Sequence, residues 1–151
     1  MMEFKSVPVG SADAQKMLNE LSYTLTSLIG HNGAMHVNYA DFEKERAVFV
    51  VGYSDGVPCC CGAIRNVSED TGEVKRVYAR RNTEGNGAKL MEYIEKWAIE
   101  NDYRRLILEC RPNNTHALEF YKKCGYKVCG NFPPYDVDTY AVCMEKYIVK
   151  Q

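Results

Sequence analysis

Val77-Tyr78-Ala79-Arg80-Arg81-Asn82-Thr83-Glu84-Gly85-Asn86-Gly87-Ala88-Lys89-Leu90-Met91 is the stretch on which the reading of this chain turns. It runs from an apolar strand ending through a polar loop with two close glycines into the start of an apolar helical repeat. Free backbone N–H groups at a helix start, with glycines that let a ligand come near the backbone, make an anion site suited to phosphate. An ordinary tight strand-to-helix turn reads equally well from these residues alone. No Gly-Lys-Ser/Thr follows, which excludes a nucleotide-binding P-loop. With only Gly85 and Gly87 present, a dinucleotide fingerprint is excluded too.

Working outward, Leu90, Tyr93, Ile94, Trp97 and Ala98 recur at helical spacing and predict an amphipathic helix from about Gly85 to Asn101. Upstream, Glu73–Ala79 reads as a strand entered from a turn at Ser68 to Gly72. Before it, Ala47–Tyr53 and Pro58–Ile64 read as a hairpin about Ser54-Asp55-Gly56. Downstream come a short strand at Leu106–Cys110 and a helix capped by Asn114 or Thr115. That helix carries Ala117, Phe120, Tyr121 and Cys124 on one stripe and ends at Gly125. Strands near Tyr126–Cys129 and Tyr140–Tyr147 close the chain. At the other end, residues 3–9 suggest an edge strand, and Ser11 caps a helix carrying Leu18, Leu21, Leu25, Leu28 and Ile29 as far as Gly30. His31 to Asp41 is loop or short helix. The pattern is mixed α/β with a central βαβ unit.

The chain has 151 residues and 17.2 kDa, which predicts one domain able to bury roughly 70% of its unfolded surface. Its composition, 46% hydrophobic and 26% charged, is that of a soluble globular protein. No apolar run reaches membrane-span length, and the N-terminus has no signal-peptide stretch. A net charge of −1 argues against a nucleic-acid binder. The balance is −4 over residues 1–75 and +3 over residues 76–151, so an anionic ligand favours the second half. Seven cysteines, an odd number with no C-x-x-C, point to reduced thiols used as small apolar residues and hence to the cytoplasm. Alternation along a strand turns the consecutive Cys59, Cys60 and Cys61 to opposite faces. His31, His36 and His116 have no ligand spacing, so no metal is expected.

Two motifs carry a family resemblance. Asn82-Thr83-Glu84-Gly85-Asn86-Gly87 resembles the Gln/Arg-x-x-Gly-x-Gly/Ala pyrophosphate loop of the GNAT superfamily of N-acyltransferases. Asn82 stands where the family has Gln or Arg, and the loop before it is about two residues shorter. Arg80 and Arg81 are candidates for the missing positive charge. Asn114-x-x-Ala117-x-x-x-Tyr121 followed by Gly125-Tyr126 resembles the family's Asn-x-x-Ala-x-x-x-Tyr-x-x-x-Gly-Phe element. The resemblance spans roughly residues 47–147.

The resemblance implies a GNAT fold: a central mixed, mostly antiparallel sheet of about six or seven strands, splayed at the cofactor site and flanked by about four helices. It implies acetyl-CoA as co-substrate, its arm on the backbone of Val77, Tyr78 and Ala79 and its pyrophosphate on Asn82, Thr83, Glu84, Gly85, Asn86, Gly87 and Ala88. Asn114 would contact the arm, and Tyr121 would protonate the departing thiolate. Glu73 would be the base, with Glu109 or a water chain as alternatives. The acceptor would be the amine of a small molecule or peptide, with no nucleic acid or membrane as partner, and a homodimer is compatible. A catalytically silent module that binds acyl-CoA is the other reading. The segment Gly130–Tyr140 offers Tyr135, Asp136, Asp138 and Tyr140 to a cationic amine, or is a solvated loop with its tyrosines packed on the sheet.

Overall fold

A computed structural model describes residues 1–81 and 85–149. In chain order the elements are β1 (Met2–Ser6), α1 (Ala12–Ile29), β2 (Val48–Ser54), β3 (Val57–Asn66), β4 (Thr71–Ala79), α2 (Asn86–Glu100), β5 (Arg105–Cys110), α3 (Thr115–Lys123), β6 (Lys127–Val128) and β7 (Val142–Tyr147), with 3-10 turns at Tyr39–Glu43 and Tyr135–Val137. The strands form one seven-stranded sheet in the order β1-β2-β3-β4-β5-β7-β6. Every neighbouring pair is antiparallel except β4 and β5, which run parallel because α2 carries the chain back across the sheet.

Three α-helices flank the sheet among the described residues, one fewer than expected. The segment after α1 makes only the 3-10 turn at Tyr39–Glu43, begun by the Asn38 side chain accepting from the Ala40 N–H. The strand expected at Tyr126–Cys129 shrinks to two residues, and the final strand begins at Val142 rather than Tyr140. Elsewhere the local chemistry acts as expected. Ser11 accepts from the Ala14 N–H at the start of α1, and Gly30 ends that helix at φ 86°.

The alternation of β2 and β3 divides the core. Val48, Val50, Cys60 and Ile64 face α2 and α3 together with Leu106 and Leu108, whereas Phe49, Val51, Cys61 and Ala63 face α1 and Phe42. One expectation about the cysteines fails here. Opposite Gly52 and Tyr53 the register slips, so Cys59 is an extra residue and shares a face with Cys60. All seven cysteines are free thiols, and burial pushes Cys60 up to about 12.

The feature that positions the site lies in β4. Its pairing with β5 covers only Thr71–Glu73 against Arg105–Ile107. Beyond that point β4 keeps β3, and β5 keeps β7, but the two strands part. On the β3 side a bulge sets Arg76 and Val77 against the single residue Gly62, with Arg76 in the left-handed region at φ 56°. The extra residue breaks alternation, so Lys75 and Arg76 both reach the segment after α1: Lys75 Nζ donates to the His36 carbonyl at 2.8 Å, and Arg76 Nη2 to the Asn32 carbonyl at 2.8 Å.

Candidate active site

The split in the sheet opens into a cleft of about 650 Å³. Leu21, Leu25 and the segment 31–37 form one wall; β4 and β5 form the floor, and the start of α3 closes the far side. From Val74 to Ala79 the β5-facing edge of β4 has no partner strand. Such an edge is open to an extended ligand that adds to it as a strand would. Val77 and Ala79 turn their side chains to the α2 and α3 face, Tyr78 to α1.

At the far end of β4 the chain enters α2. Gly85, the cap residue, sits at φ 70° and has no side chain to accept from the first amides, whereas Ser11 caps α1 and Asn114 caps α3 through their side chains. The N–H groups of Gly87 and Ala88 fall in the first turn, where an α-helix supplies no i−4 carbonyl of its own to receive them. Asn86 is buried, with its amide nitrogen 3.7 Å from Cys59 Sγ. Gly87 is closely packed: a Cβ there would lie 3.2 Å from two ring atoms of Phe120 and 3.7 Å from the Ala79 Cβ, so the ring would have to give way slightly. Asn82, Thr83 and Glu84 lie outside the described residues. Arg80 is held by Glu20 of α1 through two bonds of 2.8 and 2.6 Å, which also lowers the Glu20 pKa. Its charge is thereby balanced within the protein.

On α3 the Asn114 oxygen accepts from the Ala117 N–H at 3.3 Å, and the residue lines the cleft. Two turns on, Tyr121 lines the same cleft, its ring edge-on to Phe120 and Tyr126. Among the described residues its hydroxyl has no hydrogen-bond partner, and burial raises its pKa well above the ordinary phenol value. At neutral pH it therefore holds its proton and is able to donate. Burial also pushes the neighbouring Cys110 thiol up to about 12, so a thiolate in this setting is strongly basic.

The two candidate bases differ. Glu73 is 1% exposed, not solvated behind its turn. Arg65 Nε donates to its Oε1 at 2.7 Å; Tyr135 donates to its Oε2 at 3.3 Å, and Lys75 stands 3.5 Å away. Glu109, on β5, lines the cleft with a buried Oε2 that makes no hydrogen bond; Arg111 Nη2 is 2.9 Å from it but badly aligned. Desolvation raises the Glu109 pKa, and Arg111 opposes the rise. Of the Gly130–Tyr140 residues, Tyr135 is buried against Glu73 and Lys75, Asp138 pairs with Arg111 at 2.6 Å, and Asp136 and Tyr140 are exposed.

Lys75, Arg76 and Arg111 escaped the sequence reading. A period-2 signal, Glu73-x-Lys75, was present in the strand, but the bulge that turns Arg76 into the cleft has no local signature. No group of three or more His, Cys, Asp or Glu able to hold a metal occurs among the described residues, nor any helix long and apolar enough to cross a membrane.

Known proteins share this architecture. An IAA acetyltransferase of Azospirillum brasilense is 34% identical over 134 residues, covering 87% of this chain and 88% of its own. A Klebsiella pneumoniae structure described as an acyl-CoA N-acyltransferase superposes with a TM-score of 0.80 at 26% identity, covering 98% of both chains. The PaiA N-acetyltransferase of Thermoplasma acidophilum, solved in complex with coenzyme A, has the same fold at 15% identity, with a TM-score of 0.71 over 97% of this chain and 98% of its own. The profile of the acetyltransferase (GNAT) family matches residues 16–126. With a parallel β4–β5 pair that splits beside a helix start, and with that match over most of its length, the chain belongs to the GNAT family of acetyltransferases.

Proposed function

We propose that the protein transfers an acetyl group from acetyl-CoA to the primary amine of a small-molecule or peptide acceptor by direct attack. The observation that carries this reading is the opening between β4 and β5 with the Tyr121 hydroxyl, which has no hydrogen-bond partner among the described residues, beside it. Acetyl-CoA supplies a thioester whose acyl carbon accepts the amine. The backbone of Val77, Tyr78 and Ala79 binds its extended arm, and Asn114 contacts that arm. The first amides of α2, from Asn86, Gly87 and Ala88, hold the pyrophosphate with Gly85 and the segment Asn82–Glu84.

An amine attacks only when neutral, so a carboxylate of the cleft takes the proton from the entering ammonium. Glu73 and Glu109 are the two candidates. One observation favours Glu109: its buried Oε2 is paired by charge with Arg111 at 2.9 Å but meets no hydrogen-bond geometry, whereas both Glu73 oxygens accept hydrogen bonds, from Arg65 and Tyr135. As the carbon–sulfur bond breaks, Tyr121 donates its O–H to the sulfur. A thiolate in the cleft is poorly solvated, so the hydrogen bond from Tyr121 strengthens as charge develops on the sulfur.

The deciding experiment measures acetyl-CoA binding and CoA release over an amine panel. Binding followed by amine-dependent release and acceptor acetylation is the expected result. Binding with no release for any amine would leave a silent acyl-CoA-binding module instead.

A further inference from the structure

Arg76 is a buried cation that has no anion beside it among the described residues. It is 7% exposed, lines the cleft, and takes part in no ion pair among the described residues. The other buried cation, Lys75, has Glu73 at 3.5 Å. Arg65, Arg80, Arg105 and Arg111, all more exposed, face carboxylates at 2.6 to 2.8 Å. Arg46 also lacks a carboxylate but is only half-buried and lies over the Tyr103 ring at 4.0 Å. Both terminal nitrogens of Arg76 instead donate to one neutral oxygen, the Asn32 carbonyl, at 3.2 and 2.8 Å. A carbonyl satisfies two N–H groups but does not balance a full charge taken from water.

The backbone gives a second, independent sign. A left-handed conformation in a non-glycine residue is strained and persists where the surroundings enforce it, often at ligand sites. Here it turns the Arg76 side chain into the cleft, on the opposite lip of the strand opening from Glu109. Counting from the paired Glu73 and Ile107, Lys75 and Glu109 stand level, and Arg76 follows by one residue.

We propose that the acceptor is an amino acid, an amine that also carries a carboxylate, and that Arg76 receives the carboxylate while the amine faces Glu109 at the strand opening. This rests on the reading of the cleft as the acceptor site of acetyl transfer. A guanidinium presents paired N–H groups that match a carboxylate, and a buried site makes the match discriminating. An acceptor without the anion would leave the charge as unbalanced as it is without ligand.

The test compares amino acids with their decarboxylated amines, such as tryptophan with tryptamine, phenylalanine with phenethylamine and leucine with isoamylamine, by CoA release from acetyl-CoA. For the amino acid that is used, kcat/KM is expected to exceed that of its amine by about 10²-fold, the scale of a charge-assisted hydrogen bond. Arg76→Gln should remove that preference and leave the amine's KM within about threefold of wild type, with Arg76→Lys in between. If Arg76 served only to hold the segment at Asn32, both substrates would suffer alike. Wild-type enzyme that acetylates the amines as well as the amino acids overturns the proposal with no variant needed. Should CoA bind but nothing turn over, transfer itself fails as a reading. Titration of CoA-loaded protein with N-acetyl amino acids and their amides then decides Arg76 separately. Tighter binding of the carboxylates, lost in Arg76→Gln, supports the assignment, and equal binding of the two forms overturns it.

Discussion

The Tyr121 hydroxyl and the two cleft glutamates carry the chemistry proposed for single residues. Removing the hydroxyl removes the donor but leaves the ring packed against Phe120 and Tyr126. Tyr121→Phe should therefore fold and bind acetyl-CoA as wild type does. Its turnover should fall by roughly 10²-fold, the usual contribution of a positioned acid. Unchanged turnover, with chemistry shown to limit the rate, would make Tyr121 a core residue only. The glutamates separate by stability as well as rate. Glu73→Gln disrupts a buried ion pair with Arg65 and Lys75, so a loss of several kcal/mol is expected from chemical denaturation, about 3 or more. Glu109→Gln should cost far less stability, because desolvation already disfavours its charge. It should lower activity at neutral pH and recover in part at high pH, where more of the amine is neutral. A pH–rate profile for Glu109→Gln that matches wild type would return the base to Glu73 or to water.

At the scale of elements, the start of α2 joins cofactor binding to packing. A branched side chain at position 87 would press on Phe120 of α3, where even a Cβ lies at 3.2 Å. Gly87→Val is expected to cost about 1–3 kcal/mol of stability by overpacking. Affinity for CoA should also drop more than affinity for pantetheine, which lacks the pyrophosphate. Equal losses for the two ligands would remove the phosphate role from this helix start. The helix itself was legible in the sequence, since its apolar positions Leu90, Ile94 and Ala98 keep strict spacing and are buried. So was the hairpin, where Asp55 and Gly56 both take the positive φ that the turn signal requires. The bulge in β4 was not legible. It depends on how Gly62 of β3 meets two residues of β4, a contact across strands that leaves no pattern along either. The pairing of Cys59 with Cys60 on one face escaped for the same reason. Tyr135 was visible as an aromatic in a late loop, but its burial between Lys75 and Glu73 depends on how that loop folds back over the sheet.

For the whole molecule, the question is what keeps α1 over the open part of the sheet once β4 and β5 have parted. Arg80 and Tyr78 at the end of β4 both reach Glu20 on α1, with Arg80 bidentate and the tyrosine hydroxyl at 3.1 Å. This contact spans the acceptor wall and the approach to α2, halves of the chain that carry opposite charge balances. Arg80 lowers the Glu20 pKa below its ordinary value, so the folded state holds the proton less tightly than the unfolded chain does. The stabilisation is then present above the unfolded carboxyl's pKa, about 4.3, and is lost as pH falls through the lower folded value. Because the pair is partly exposed, at 36% for Arg80 and 28% for Glu20, its worth is that of a screened surface bridge, about 0.5–1 kcal/mol. Glu20→Gln should therefore lower the melting temperature modestly at pH 7 and 50 mM salt, with a smaller gap in 1 M salt. At pH 3 the gap should narrow, since the unfolded chain then holds the proton that the ion-paired carboxyl must give up, and the ion pair is lost as pH falls further through the folded value. A gap that stayed constant from pH 7 to pH 3 would show that Glu20 acts by packing its stem rather than by charge. The sheet's open edge would then be held by the apolar face of α1 alone.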